Sequence, residues 1–280
     1  MNILVTGSSG YIGSNFIEAF KEKYQFRTFS LQTDALDTIC LENIDIIIHF
    51  AALVHQKNKF DIGEYYKINT EYPVKLANKA KTFGVTHFIY ISSIAVYDEK
   101  LEYLDEYSIC SPNTAYGKSK LEAEQKLQEI EDEDFILSIL RLPMVYGKNA
   151  PGNIKHLITL IQKIPLLPFK DTENKRSFIY IGNVLPLLEK IILCKQSGIL
   201  LASDDEAIST SDFIRSISQH LHKTNYLVRL PLLRYILKKF RPSLYTKLYG
   251  TCIINNTRTN NKLNYMNLYS IDEGIKEMLK

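Results

Sequence analysis

Short apolar runs rich in β-branched residues alternate with longer stretches whose apolar positions recur every three or four residues. "NILVT" (2–6), "FRTFSL" (26–31), "DIIIHF" (45–50), "HFIYIS" (87–92) and "FILSILRL" (135–142) have the length and make-up of strands. Tyr11–Lys23, Glu64–Phe83 and Thr114–Ile130 carry the helical period between them. The strand runs lack clean polar alternation, as expected of strands covered on both faces. Strand, helix, strand at these lengths predicts βαβ units and an α/β fold with a doubly wound parallel sheet. The rhythm loosens at "GKNAPGN" (147–153). Beyond it, Ile154–Ile164 and Asp212–Leu221 predict helices among scattered strands and prolines. Residues 1–150 are therefore expected to form the sheet domain. Residues 151–280 are expected to form a smaller α/β lobe that closes over the strand ends. The stretch 176–196, with the helix "NVLPLLEKIILCK" (183–195), is expected to pack back on the first domain. Asn-rich "INNTRTNNKLN" (254–264) reads as a loop.

Composition narrows the class. The 280 residues are 45% hydrophobic and 23% charged, as in an ordinary soluble globular chain. A net charge of +3 is too small to argue for nucleic acid. Cys40, Cys110, Cys194 and Cys252 lie far apart with no CxxC, so they read as reduced thiols and not as a disulfide frame or a metal site. No basic segment followed by a long apolar run is visible at the start, and no run approaches about 18 apolar residues. A cytoplasmic location without a membrane span is the expectation. The basic stretch "RYILKKFRPSLYTK" (234–247) raises association with a membrane surface, although such runs usually form a solvated face.

Two motifs carry chemistry. "GSSGYIG" places Gly7, Gly10 and Gly13 between the first strand and the first helix. Glycines there let the backbone approach a pyrophosphate, and the helix start supplies N–H donors. Chance predicts only about 0.02 copies, and a turn that binds nothing is weighted at about one in twenty. The second motif is Tyr116 four residues before Lys120. Chance supplies roughly 1.7 such pairs, and Tyr235–Lys239 is another, so context must choose. Tyr116 follows the strand that ends in "ISSIAVY" (91–97), and ligands of open parallel sheets bind beyond the strands' carboxyl ends. Tyr116 and Lys120 share a helix face. A cation beside a phenol favours the phenolate, which suits Tyr116 as a base, while Ser93 donates a hydrogen bond to a substrate oxygen. Tyr235 lies far from any strand end and reads as an ordinary tyrosine on an amphipathic helix.

The chain resembles the extended short-chain dehydrogenases/reductases that act on nucleotide sugars, a family of NAD-dependent epimerases and dehydratases. "GSSGYIG", "HFAAL" (49–53), "NTEYPVKLA" (69–77), "SSIAVY" (92–97), "YGKSKLEAE" (116–124), "RLPMVYG" (141–147) and "RSFIYIGNV" (176–184) match its landmarks in order, as does the tail "NNKLNYMNLYSIDEGIKEML". The resemblance implies a Rossmann-type domain with bound NAD, NADP being the alternative, and a C-terminal sugar-nucleotide lobe. It implies Ser93, Tyr116 and Lys120 as the catalytic set. It places Gly7, Gly10, Tyr11, Ile12, Gly13, Ala51, Ala52, Lys120 and Pro143 at the cofactor, and Arg176 and His55 at the substrate. An exposed loop histidine is the competing reading of His55. A homodimer is a further expectation.

Three departures stand out. Ser30 and Leu31 occupy the end of the second strand, where NAD-specific members carry an acid for the ribose, and Asp34 comes slightly late. The segment between the second and third strands is short of a strand–helix piece. Met144 stands where many epimerases have Asn. The dehydratases place Asp-Glu after the catalytic Ser/Thr. Here Ile94 and Ala95, which move no proton, take those positions, arguing against dehydration. The expected activity is C4 epimerisation of a UDP-hexose or UDP-N-acetylhexosamine through transient hydride transfer to NAD. A 4-ketosugar-nucleotide reductase using NAD(P)H is the first alternative, and a non-catalytic NAD(P)-binding regulator the second.

Overall fold

All five runs read as strands enter one sheet, and a sixth strand joins them from the C-terminal half. In the computed structural model, which describes residues 1–30, 36–54, 61–170 and 172–280, the strands are β1 (Asn2–Thr6), β2 (Gln25–Phe29), β3 (Ile46–His49), β4 (His87–Ser93), β5 (Ile136–Leu142) and β6 (Gly198–Leu201). Their order is β6-β5-β4-β3-β1-β2, with every pair parallel. The order reverses between β1 and β3, which opens a crevice at their carboxyl ends. Among the described residues only a single helical turn, Leu36–Thr38, lies between β2 and β3, so β2 is the edge on that side.

Both sheet faces are apolar, which explains why the strands show no alternation. Ile3, Val5, Ile46, Ile48, Ile89, Ile91 and Leu140 pack on one side against α1 (Tyr11–Phe20) and residues of a helix from the C-terminal half, Ile181–Cys194. Leu4, Ile47, Phe88, Tyr90, Leu137 and Ile139 pack on the other against α2 (Tyr72–Thr82) and α3 (Ala115–Gln128). Each such side chain contributes about 1.5–3 kcal/mol by leaving water. A third cluster, centred on Tyr146, Phe178 and Phe213, gathers α4 (Asn153–Lys163), α6 (Thr210–His220) and α9 (Ile271–Leu279). The helix Ile181–Cys194, α5, and strand β6 serve the sheet although they come late in the chain. We propose that they belong with residues 1–150 in one unit and that the remainder forms the second lobe.

Two elements differ from expectation. The helix read at 64–83 runs Ile62–Tyr66, widens into a π turn at Lys67–Glu71, and continues as α2. Pro73 has no N–H to give to the carbonyl of Asn69 four residues earlier. The Tyr90 hydroxyl donates to that carbonyl instead, at 2.9 Å. The Asn-rich tract read as a loop holds the short strand Ile253–Ile254 and the helix Thr257–Leu263. Tertiary bonds override its weak propensity: Thr259 is fully buried, accepts from the Leu201 amide at 2.9 Å and donates to Glu106 at 2.8 Å. No helix among the described residues is long and apolar enough to cross a membrane.

Candidate active site

β1 and β3 end side by side. Thr6 pairs with His49, so Gly7 and Ala51 leave the same edge of the sheet. Gly7 has φ +73°, and a Cβ there would lie 2.5 Å from the Ala51 nitrogen. Only glycine permits that approach. The Gly10 amide donates to the Gly7 carbonyl at 2.9 Å, and α1 starts at once, with no acid in its first turn. The first-turn N–H groups of a helix have no acceptor within the helix, so Tyr11, Ile12 and Gly13 present donors and a positive dipole end to the crevice. Tyr11 contributes by its backbone alone. Its ring turns to the other side, where a Cβ on Gly147 would lie 2.6 Å from its hydroxyl.

Ala51 and Ala52 are held from behind by a residue the sequence reading quoted but did not single out. Asn69, fully buried in the π turn, accepts from the Leu53 amide at 2.8 Å and donates to the Leu53 carbonyl at 3.1 Å. Its amide also donates to Ser119 of α3 at 3.0 Å. The signal in the sequence was Pro73, which marks the carbonyl that the helix must leave free.

Ser93, Tyr116 and Lys120 meet one strand further along. Ser93 ends β4 in register with Leu142 of β5, so buried Pro143 lies just beyond the same edge. Thr114 caps α3 by accepting from the Gly117 amide at 3.0 Å. Any Cβ on Gly117 would run into the Ala95 carbonyl, so α3 presses directly on the turn that follows Ser93. That contact sets the half-buried Tyr116 phenol beside Ser93. Burial pushes the phenol up to about 12, and the neighbouring Ser93 hydroxyl acts the other way. Lys120 is 1% exposed. Its Nζ donates to the Ile91 carbonyl at 2.8 Å and lies 4.4 Å from the Tyr90 ring centre. Burial draws it down to about 7, opposed by Glu124. The expected lowering of the phenol by a neighbouring cation is therefore not what this structure shows. Desolvation penalises both charged forms and holds the proton on Tyr116.

A buried network backs the set. Arg141 of β5 donates from Nε to Glu124 of α3 at 3.1 Å and from Nη1 to the Tyr97 hydroxyl at 2.7 Å, and Ser92 donates to the same carboxylate. His49 lies beneath, 2.8 Å from Thr6 through Nδ1 and stacked on Tyr90, and burial pulls it down to about 3.

Arg176 comes from the C-terminal lobe. Its backbone bridges Ile208 and Cys252, and its Nη1 donates to the carbonyls of Thr246 at 3.1 Å and Gly250 at 3.2 Å. Among the described residues no carboxylate bonds its guanidinium, and burial lowers its pKa. Cys252 packs against the cluster that holds Ile94 and Val96, directly after Ser93. Met144 pairs with Phe178 in the short ladder between the two lobes. Ser30 ends the second strand region, while Leu31, Asp34 and His55 lie outside the described residues. Tyr235 is 61% exposed on a helix with no buried residue, away from the strand ends.

Comparison with known proteins agrees with this arrangement. Residues 3–195 match the model of the NAD dependent epimerase/dehydratase family. A UDP-glucose 4-epimerase of Vibrio cholerae is 29% identical, over 99% of this chain and 94% of its own. Among solved structures, the UDP-glucuronic acid 4-epimerase of Bacillus cereus in complex with NAD superposes with a TM-score of 0.82 at 22% identity, covering 100% of this chain and 95% of its own. A dTDP-4-dehydrorhamnose reductase from Clostridium acetobutylicum shares the fold at a TM-score of 0.79 and 21% identity, covering 100% and 98%.

Proposed function

We propose that this chain, which belongs to the NAD-dependent epimerase/dehydratase family, is a nucleotide-sugar epimerase that inverts C4 of a UDP-linked hexose or N-acetylhexosamine. The observation that carries the reading is the convergence of Ser93 and Tyr116 beside buried Lys120, at the strand ends next to the glycine cradle. The near-full-length likeness to a UDP-glucose 4-epimerase supports the substrate class. Ile94 and Ala95 offer no acid–base pair for eliminating water, which sets the dehydratases aside.

The residues present fit NAD. The approach of Gly7 to Ala51, which a Cβ would block, leaves room for a pyrophosphate against the start of α1. Gly7, Gly10, Tyr11, Ile12 and Gly13 would hold it through backbone groups, with Ala51, Ala52, Lys120 and Pro143 along the rest of the cofactor. When bound, NAD would supply a hydride acceptor that gives the hydride back within the same turnover. Tyr116 removes the proton of the 4-hydroxyl as the oxygen becomes a carbonyl, and restores it on return. Ser93 donates a hydrogen bond to the same oxygen. Arg176 offers a guanidinium fork to the substrate diphosphate, which lets the sugar turn while its anchor stays. The cytoplasm, where the sequence reading places the chain, is the proposed site of this reaction.

Incubation of the purified protein with UDP-glucose and UDP-N-acetylglucosamine, followed by chromatographic separation, tests the reading. A C4 epimer should form with no added reduced cofactor and no net change in nicotinamide absorbance, and NAD should be found by mass spectrometry in the denatured protein. Stoichiometric oxidation of NADH or NADPH by a 4-ketosugar nucleotide, with no epimer from either sugar, would assign the reductase instead.

A further inference from the structure

The helices α7 (Pro231–Phe240) and α8 (Pro242–Tyr249) meet at Arg241, and neither contains a buried residue. Leu233 and Leu237 of α7 are half-buried on the inner side. Leu232, Tyr235, Ile236 and Phe240 recur at i, i+3, i+4 and i+8, which is one helix face, and are 71, 61, 42 and 66% exposed. A helix on a globular protein ordinarily turns its apolar stripe to the core and a polar face to water. Here a second apolar stripe faces water, so the basic run is not the ordinary solvated face that its sequence suggests.

Charge is segregated on the same part of the chain. The 59 residues from 213 to 271 contain ten Lys and Arg and no Asp or Glu. The whole chain is +3, so all the rest together is net −7. Lys238, Arg241 and Lys247 border the apolar stripe and Lys239 lies within it, its ammonium 5.4 Å from the Phe240 ring centre, and all four are exposed. Two copies of this face would bring bases against bases, with no acid between 213 and 271 to pair them. The complement it calls for is an extended anionic surface with an apolar layer just beneath.

We propose that α7 and α8 dock this protein on an anionic phospholipid surface. The apolar stripe enters the boundary between headgroups and acyl chains, and the flanking bases meet lipid phosphates. The far end of α8 is the segment whose Thr246 and Gly250 carbonyls hold Arg176, so the docked pair is continuous with the lobe that would receive the substrate. The inference does not depend on which sugar reaction the site performs.

Sedimentation with vesicles of phosphatidylcholine, with and without phosphatidylglycerol, tests it on the full chain. The protein should sediment with the phosphatidylglycerol vesicles only, and added salt should release it. Leu232→Ser with Phe240→Ser, and separately Lys238→Glu with Lys239→Glu, should each weaken binding by about tenfold or more, since they remove the apolar and the electrostatic contributions in turn. Both variants should keep wild-type circular dichroism and wild-type turnover of a water-soluble substrate. Absence of sedimentation with phosphatidylglycerol vesicles overturns the proposal, as does binding that neither variant weakens. A dimer in solution that both variants dissociate, with no vesicle binding, would assign the face to a second copy of the chain.

Discussion

Desolvation pushes the half-buried Tyr116 phenol up to about 12, while the Ser93 hydroxyl beside it pulls the other way. A base of that kind works only when a compensating positive charge enters the cleft. If NAD occupies the cradle beside it, proton transfer at Tyr116 would be coupled to occupation of that site. Tyr116→Phe removes one oxygen and no packing volume, so the fold should survive while turnover falls by about 10²–10⁴-fold, the usual worth of a positioned acid–base group. Tyr235→Phe should leave turnover unchanged. The reverse ranking in a steady-state assay with matched melting curves would show that the wrong tyrosine had been chosen. The choice between the two was legible in the sequence, because the end of an apolar run places Ser93 and the spacing fixes the helix face. The protonation states were not legible. They depend on desolvation, which for Lys120 comes with contacts to Tyr90 and Ile91 far from it along the chain, and sequence reasoning weighed only the neighbouring charge.

Helix α3 carries Tyr116, Lys120 and Glu124 at intervals of four, so one face meets the proposed site at its start and the core at its middle. Gly117 sets how closely that face meets the strand end, and the Glu124–Arg141 pair sets its rotation against β5. Both partners are nearly inaccessible, at 1% and 3% side-chain exposure. Removing one leaves an uncompensated buried charge, at a cost of about 3–5 kcal/mol, whereas removing both leaves none. Arg141→Leu should therefore lower the urea midpoint strongly. Arg141→Leu with Glu124→Leu should be clearly more stable than the sum of the single losses. Strict additivity in equilibrium unfolding would show that the two do not act as a pair. The helix itself was readable from its period, and so were the five strands. Glu124's partner was not, since it sits on a strand 17 residues away. The helical turn in the Asn-rich tract was hidden for a similar reason, because Thr259 is held by Leu201 and Glu106 and not by its own neighbours.

At the scale of the molecule the glycine cradle and the proposed substrate grip, Arg176, come from different parts of the chain. Gly7, Ala51, Ser93 and Pro143 all leave the carboxyl edge of the sheet, while Arg176 sits among Ile208, Thr246, Gly250 and Cys252. The order of landmarks along the sequence carries the same division as an expectation. The bonds that orient Arg176 were not foretold, since they come from backbone carbonyls about 70 residues later, which no side-chain pattern marks. If Arg176 grips the substrate diphosphate, its loss should act on one ligand more than the other. A charge-assisted bond is worth about 1.5–3 kcal/mol, which corresponds to roughly a 10- to 150-fold change in affinity. Arg176→Ala should thus weaken UDP-sugar binding by that order in calorimetry while NAD binding changes little. Arg176 also ties down the end of α8, so the variant needs a control for local loosening. Arg176→Lys keeps the positive charge but loses the fork, and should fall between wild type and Arg176→Ala in substrate affinity. Equal losses for NAD and UDP-sugar, tracking a fall in melting temperature, would make Arg176 a strut of the lobe and remove it from the substrate site.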